Sequence, residues 1–443
     1  MATATLNSSA TAPISDEAVK PRTDWYIWGS YMVLLVVSVV ELFSASSQEV
    51  RVDDIYGPIL RHAMFLGIGL LLMLIIQRVH FVKLYYLIPL YVAVSIVLMV
   101  LVLFAGTNIN GVRRAITVAG MTILPAEFLK LAVALGIAWF LSRSQIKNPD
   151  GSHDVNNGGV IACALLVLVS SGLLFNQGLT NTLLLMSISI CMMLVGGVGW
   201  KKLGIVMLVY MFIGGSAMLV KSISAHDEGP TEEDIALAQI NQTDVTTTGD
   251  KDNRFHTWEA RLERHFRLNK SGDPITDENK QEQLSYIAQA RGGLHGVGVG
   301  NSRENARLPL AFSDYIFAIM VEELGAVICI GVLIFYLFLL GRAGRLASQF
   351  RSTLPMLLVI GCALVICLQA LFHICIVVGV FPVSGQPLPL ISKGGTSILA
   401  TSLALGVMLS ASRWAARKDD EEAGRQELSS LPENIANDNP AQL

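Results

Sequence analysis

Apolar runs separated by short polar breaks recur along the chain, near 25–45, 58–78, 84–104, 124–142, 158–175, 180–199, 202–220, 314–340, 354–377 and 389–412. Crossing the hydrocarbon core of a bilayer takes about 20 mainly apolar residues. The pattern predicts an all-α polytopic membrane protein, a bundle of ten transmembrane helices over residues 25–413. Polar tails flank it at 1–24 and 414–443, and the stretch from Asp419 onward lacks apolar periodicity, as a disordered segment does. The first run ends in "SASS", which resembles a signal-peptide cleavage site, but its length and the spans that follow identify a retained helix.

One long polar interruption, 221–313, separates the seventh and eighth runs. Its first half is acidic and weakly periodic, which predicts a flexible segment. In "RFHTWEARLERHFRLNK", Trp258, Leu262 and Phe266 recur at i, i+4, i+8 among arginines. That spacing predicts a helix lying on the membrane surface or on the protein's own outer face. With the N-terminus in the cytoplasm, fourteen basic residues fall in inner tails and short loops and five in short outer segments. This asymmetry places both termini inside and the long loop outside.

Composition agrees with the pattern: 52% of residues are hydrophobic and 15% charged, against about 25% charged in soluble domains. The net charge of −3 is confined to loops and tails, which excludes a basic nucleic-acid surface. All six cysteines sit in apolar runs and read as packing residues rather than a disulfide framework, and no cysteine pair has zinc-site spacing with a neighbouring histidine.

Against this background a few charges stand out. Arg113 and Arg114 lie in an outer loop, against the positive-inside pattern, either as solvated loop charges or as part of a site. Pro125 opens the fourth helix, and Glu127 and Lys130 share one of its faces at i, i+3, either as a self-neutralising pair or as part of the same site. A helix N-terminus facing outward beside arginines and a lysine suits a phosphate or pyrophosphate. Asp314 stands at the expected mouth of the eighth span. On a continuous helix Glu322 would lie about 12 Å deeper and turned roughly 80° from Asp314, facing the same cavity, with Glu323 on the opposite side. The glycine-rich "ARGGLHGVGVGNS" reads as a turning loop over the site or a plain connector. Lys393, in "VFPVSGQPLPLISKGGTS", adds a cation beside a broken backbone, which at membrane depth needs protein or a water-filled cavity around it. Gln369 and His373, at i, i+4, read as an interhelical hydrogen-bonding pair.

The stretches "NGVRRAI…ILPAEFLKLA", "GVGVGNS…LPLAFSDYIFAIMVEELG" and "QPLPLISKGGTS" together resemble the SEDS family of polytopic cell-wall polymerases, its division-type members above all, over about Trp25 to Arg413. The resemblance implies a peptidoglycan glycosyltransferase polymerising lipid II at the outer face of the cytoplasmic membrane, at the division septum. Asp314 matches the family's essential aspartate, proposed to deprotonate the acceptor sugar hydroxyl. Arg114 matches its outer-loop arginine, Glu127 and Lys130 its acid and base on the fourth helix, and Glu322 and Glu323 its paired glutamates. The partners it implies are a class B penicillin-binding transpeptidase and other division-complex membrane proteins. No cofactor is required by the motifs, and a divalent cation, Mg or Mn, on the pyrophosphate is the one candidate. The chain departs from the family pattern at Ala115 (usually tryptophan), at Leu310 and Phe312 (an acid and a histidine), at "QGLTNT" from Gln177 (an aspartate lost) and at Lys393 (tyrosine). The rival readings are a lipid II flippase, an elongation-type polymerase and a non-catalytic division scaffold.

Overall fold

The computed structural model describes residues 23–45, 57–109, 112–118, 121–147, 153–175, 177–227, 275–276, 279–308 and 311–415. Both tails, most of the long loop and the expected Trp258–Phe266 helix lie outside the described residues.

Each apolar run falls on a helix: α1 (Trp25–Ala45), α2 (Gly57–Ile76), α3 (Phe81–Ala105), α4 (Pro125–Arg143), α5 (Asn157–Phe175), α6 (Leu179–Val195) and α7 (Trp200–Asp227) precede the long loop. After it, α8 (Lys280–Gly292) is a short polar helix, followed by α9 (Ile316–Gln349), α10 (Thr353–Val377) and α11 (Gly395–Trp414). Among the described residues, seven helices (α2–α5 and α9–α11) combine the length and hydropathy of a membrane span, fewer than the ten expected. The apolar helix α6 is shorter, Leu179–Val195. Gly196 with the positive-φ Gly197 ends it.

The bundle has a protein-facing centre and a lipid-facing rim. In α4, α10 and α11, 78%, 72% and 83% of the apolar window is buried, against 22% in α2 and α3. The cause is side-chain size. Ala126, Ala132, Ala134, Gly136 and Ala138 on α4, and Ser397, Ala400, Ser402, Ala404 and Gly406 on α11, are small and buried, which lets helix backbones approach without a hydrophobic drive between them. The exposed Leu60, Ile68, Leu71 and Ile75 of α2 are what a lipid-facing stripe requires.

Two findings depart from the sequence reading. The segment between α3 and α4 is an antiparallel sheet, β1 (Thr107–Ile109), β2 (Val112–Val118) and β3 (Met121–Ile123), rather than a plain loop. Ile116 pairs with Ile123, and a register shift separates the pairs Thr107–Ala115 and Asn108–Arg113. A second hairpin, β4 (Gln145–Lys147) with β5 (His153–Val155), joins α4 to α5.

The second departure is in α9, which is broken at Gly325, where φ is 84° and ψ 162°. Only glycine adopts this backbone without strain, and a Cβ there would lie 2.4 Å from the Leu294 carbonyl oxygen. The glycine-rich segment satisfies the polar groups freed by the break. Val297 N donates to the Glu322 carbonyl at 2.9 Å, Gly298 N to that of Glu323 at 3.0 Å, and Ala326 N to that of Gly293 at 3.0 Å. Beyond the kink, the helix from Ala326 to Gln349 is about 36 Å long at 1.5 Å per residue, enough to cross a roughly 30 Å core alone. Every residue from Ile316 to Glu323 is buried, whereas Val327, Ile328, Ile330 and Ile334 are exposed. The lipid-facing span therefore begins after Gly325, and Asp314, Glu322 and Glu323 belong to a protein-enclosed segment before it. Glu322 does not sit two turns down a straight span, as the sequence suggested.

Candidate active site

The site lies where β2, the start of α4, the turn at 311–315 and the connector between α10 and α11 converge. Asp314 is half-buried and its Oδ1 accepts from Ser313 Oγ at 3.1 Å. Burial pushes its carboxyl above the ordinary carboxylate range, while the Ser313 hydroxyl and then the Arg114 guanidinium pull it part of the way back. Arg114 is thus the basic residue whose charge Asp314 feels. The connector closes on the same carboxylate: a Cβ at position 385 would stand 2.8 Å from Asp314 Oδ2, so glycine is what lets the chain pass there.

The turn carrying Asp314 is clamped by the far end of that connector. Ser392 Oγ donates to the Ser313 carbonyl at 2.8 Å and accepts from Leu388 N at 2.6 Å. Lys393 N donates to the Phe312 carbonyl at 3.0 Å. The Lys393 ammonium stands 5.0 Å from the centre of the Phe312 ring, a cation–π contact worth about 0.5–2 kcal/mol. Two of the departures from the family pattern, Phe312 and Lys393, therefore touch each other. The connector bends sharply at Leu390, whose φ is 65°, and Tyr336 Oη donates to the Pro389 carbonyl at 2.6 Å beside it.

Arg113 points elsewhere. Alternation along β2 puts adjacent side chains on opposite faces, and Arg113 Nη1 donates to the Leu103 and Phe104 carbonyls at 3.0 and 3.1 Å. It satisfies the last carbonyls of α3, a stabilising place for a cation, and is not brought to Asp314.

Glu127 and Lys130 form the expected pair, Nζ to Oε1 2.8 Å, but Lys130 is fully buried. Its ammonium also donates to Gln369 Oε1 at 3.0 Å and, in a long contact, to Gln386 Oε1 at 3.5 Å. Three acceptors meet three protons, leaving none for a ligand. Gln369 Nε2 reaches back to Glu127 Oε2 at 3.0 Å and to the Pro387 carbonyl at 3.2 Å. The His373 imidazole bonds the Gln386 carbonyl through Nδ1 at 2.6 Å, and Gln386 Nε2 donates to Asn181 Oδ1 at 2.7 Å. Gln369 and His373 are hydrogen-bonding residues, as their spacing suggested, although their partners lie on α4 and the connector. Asn181, Gly385, Gln386 and Ser392 escaped the sequence reading. Their stretches, "VFPVSGQPLPLISKGGTS" and "QGLTNT", were visible as motifs, but nothing in them singled out these residues.

Glu322 is also closed. It accepts from Arg291 Nη1 at 2.6 Å, Ser302 Oγ, Arg303 N at 3.0 Å and Glu304 N at 3.4 Å. Its carboxylate organises the glycine-rich segment rather than facing a substrate, which corrects its placement in the cavity. Glu323, on the other side of the helix, accepts from Ser44 Oγ of α1. Among the described residues, no group of three His, Cys, Asp or Glu side chains is placed to hold a metal ion.

The model of the FtsW/RodA/SpoVE family, described as cell cycle proteins, matches residues 24–417. Among curated proteins, the chain is similar to "Stage V sporulation protein E" of Bacillus subtilis, 28% identical with 87% of this chain and 95% of that one covered. It is similar to "Probable peptidoglycan glycosyltransferase FtsW" of Enterococcus hirae, 26% identical with 92% and 96% covered. Among solved structures, it resembles a chain of a peptidoglycan synthase complex described as coordinating polymerisation and crosslinking (TM-score 0.61, 24% identity, 88% and 97% covered). It also resembles the rod shape determining protein RodA of Thermus thermophilus (TM-score 0.57, 23% identity, 88% and 96% covered). At these identities the structural likeness establishes the fold.

Proposed function

The chain belongs to the FtsW/RodA/SpoVE family, and from that premise and the geometry around Asp314 we propose that it is the septal peptidoglycan glycosyltransferase, polymerising lipid II into glycan strands. The observation that carries the reading is a half-buried carboxylate raised above its ordinary range, beside one arginine and clamped from both sides. That is the equipment of a general base, a carboxylate whose proton affinity burial has raised.

Asp314 takes the proton from the 4-hydroxyl of the acceptor sugar. The freed oxygen attacks the donor's anomeric carbon with inversion, and the undecaprenyl pyrophosphate leaves. Arg114 and Lys393 offset the negative charge that develops on the leaving group. Arg113 and Lys130, both engaged by carbonyls or carboxylates of the fold, hold the scaffold instead. A divalent cation on the pyrophosphate would be held largely by the substrate's own oxygens, and the steps above use the residues of the chain alone. The chain works in the cytoplasmic membrane with both termini inside and the Asp314 end outward, beside a class B penicillin-binding transpeptidase and other division-complex membrane proteins.

Polymerisation of labelled lipid II by the purified chain, with and without the transpeptidase, tests this. Glycan strands from the parental protein and none from Asp314→Ala are expected. Translocation of lipid II across liposomes without polymer would make the protein a flippase and overturn the reading.

A further inference from the structure

The Glu127–Lys130 pair, which the sequence left open as part of a ligand site, faces inward. Its output is the connector. Gln369 joins both members of the pair to the Pro387 carbonyl, and Gln386 reaches Lys130 with one end of its amide and Asn181 of α6 with the other. His373 fixes the Gln386 backbone. The residue before these anchors is Gly385, where an added Cβ would stand 2.8 Å from Asp314 Oδ2. Gln386 itself is 1% exposed, with its amide committed to Lys130 and Asn181.

The geometry assigns Gln386 as a positioning residue for Asp314, transmitting the buried pair of α4 and Asn181 of α6 to the general base through Gly385. The assignment rests on reading Asp314 as that base. Three anchors on one residue hold the connector where a movement of an ångström would open or crush the gap beside Oδ2. Misplacement on that scale costs up to about a hundredfold in rate. The gap also sets how closely Arg114 and solvent approach the carboxylate, so the same movement alters the pH at which Asp314 ionises.

Gln386→Leu is the informative substitution, because it keeps the side-chain volume and leaves Lys130 its bonds to Glu127 and Gln369. With the purified chain and its transpeptidase, kcat for lipid II polymerisation should fall between about tenfold and a hundredfold, with KM within twofold. The acidic limb of the pH–kcat profile should move. Asn181→Leu should reproduce the fall, and the double variant should lose no more than either alone, since both break one linkage. A Gln386→Leu protein with parental kcat and pH profile overturns the assignment while leaving the glycosyltransferase reading intact. So does one whose activity loss follows its loss of folded protein in thermal unfolding, with an unchanged profile in the folded fraction. A parental protein that makes no polymer overturns both.

Discussion

Asp314 and Glu322 stand in one protein-enclosed segment and have opposite surroundings. Glu322 is saturated by a guanidinium, a hydroxyl and two backbone N–H groups. Asp314 accepts one hydroxyl, feels the charge of Arg114, and stands beside a glycine whose missing Cβ leaves space at its second oxygen. A carboxylate with every lone pair committed is an anchor, and one held by its backbone with a lone pair to spare is available for chemistry. Rigidity is supplied to Asp314 through Phe312 and Ser313, from behind the reacting group.

The contrast breaks most visibly at Asp314. Asp314→Asn should reduce polymerisation by about a thousandfold or more, as loss of a general base does, with KM little changed. It should also make the protein more stable. An acid whose folded pKa is raised binds its proton more tightly when folded, so its contribution to stability is present at low pH and lost as pH rises through the folded value. At neutral pH the ionised Asp314 is therefore a burden that the amide removes. Thermal unfolding beside the polymerisation assay checks both, and a variant that is inactive and less stable would class Asp314 with the anchors.

Glu322→Ala should do the reverse. Removing a fully buried carboxylate with four donors costs about 3 kcal/mol, toward the low end for a broken buried pair because Arg291 keeps 29% of its side chain in solvent. Activity per folded molecule should stay within a few fold. Denaturant or thermal titration reads the loss, and a Glu322→Ala protein of parental stability would show that the glycine-rich segment is held by Gly325 and its backbone bonds alone.

Which acid is which was only partly legible in the chain. The apolar runs gave the helices because lipid demands long uninterrupted hydropathy, and Asp314, Arg114 and the Glu127–Lys130 pair stood out as charges that break this demand. The division of labour did not. A 3.6-residue wheel assumes continuous helix, and a single glycine, Gly325, ends it. Lys130 looked available because its acceptors come from Gln369 and Gln386, some 240 and 256 positions away. Spacing alone did not separate Arg113 from Arg114, which β2 turns to opposite faces, and β1 and β3 escaped notice because strands of three residues carry too little alternation to read. The Phe312 and Lys393 departures looked like two separate losses, and only their contact makes them one exchange.

Arg114 sharpens the comparison from the other side of Asp314. Its guanidinium lowers the Asp314 pKa against the larger effect of burial. Arg114→Gln should therefore let that pKa rise further and move the acidic limb of the pH–kcat/KM profile to higher pH. A rate loss of about ten- to a hundredfold from weakened leaving-group stabilisation should accompany it at neutral pH. Partial recovery at alkaline pH separates the two contributions. A rate loss with no movement of the limb would mean that Arg114 serves the leaving group alone.

The smallest effect belongs to a third acid, which fits neither class. Glu41 of α1 is buried at 1% exposure and among the described residues neither of its oxygens meets a donor, while Glu323, held by Ser44 three residues along the same face of α1, is within electrostatic reach. An acid with no partner beside a second acid stabilises nothing, so replacing it by an apolar side chain of similar volume removes a cost without opening a cavity. Glu41→Met should raise the thermal midpoint by the equivalent of about 1 kcal/mol and leave polymerisation unchanged, because no hydrogen bond ties Glu41 to the Asp314 clamp among the described residues. A lower midpoint would mean that Glu41 and Glu323 hold something between them, and the rule that an open carboxylate marks chemistry would then extend to α1.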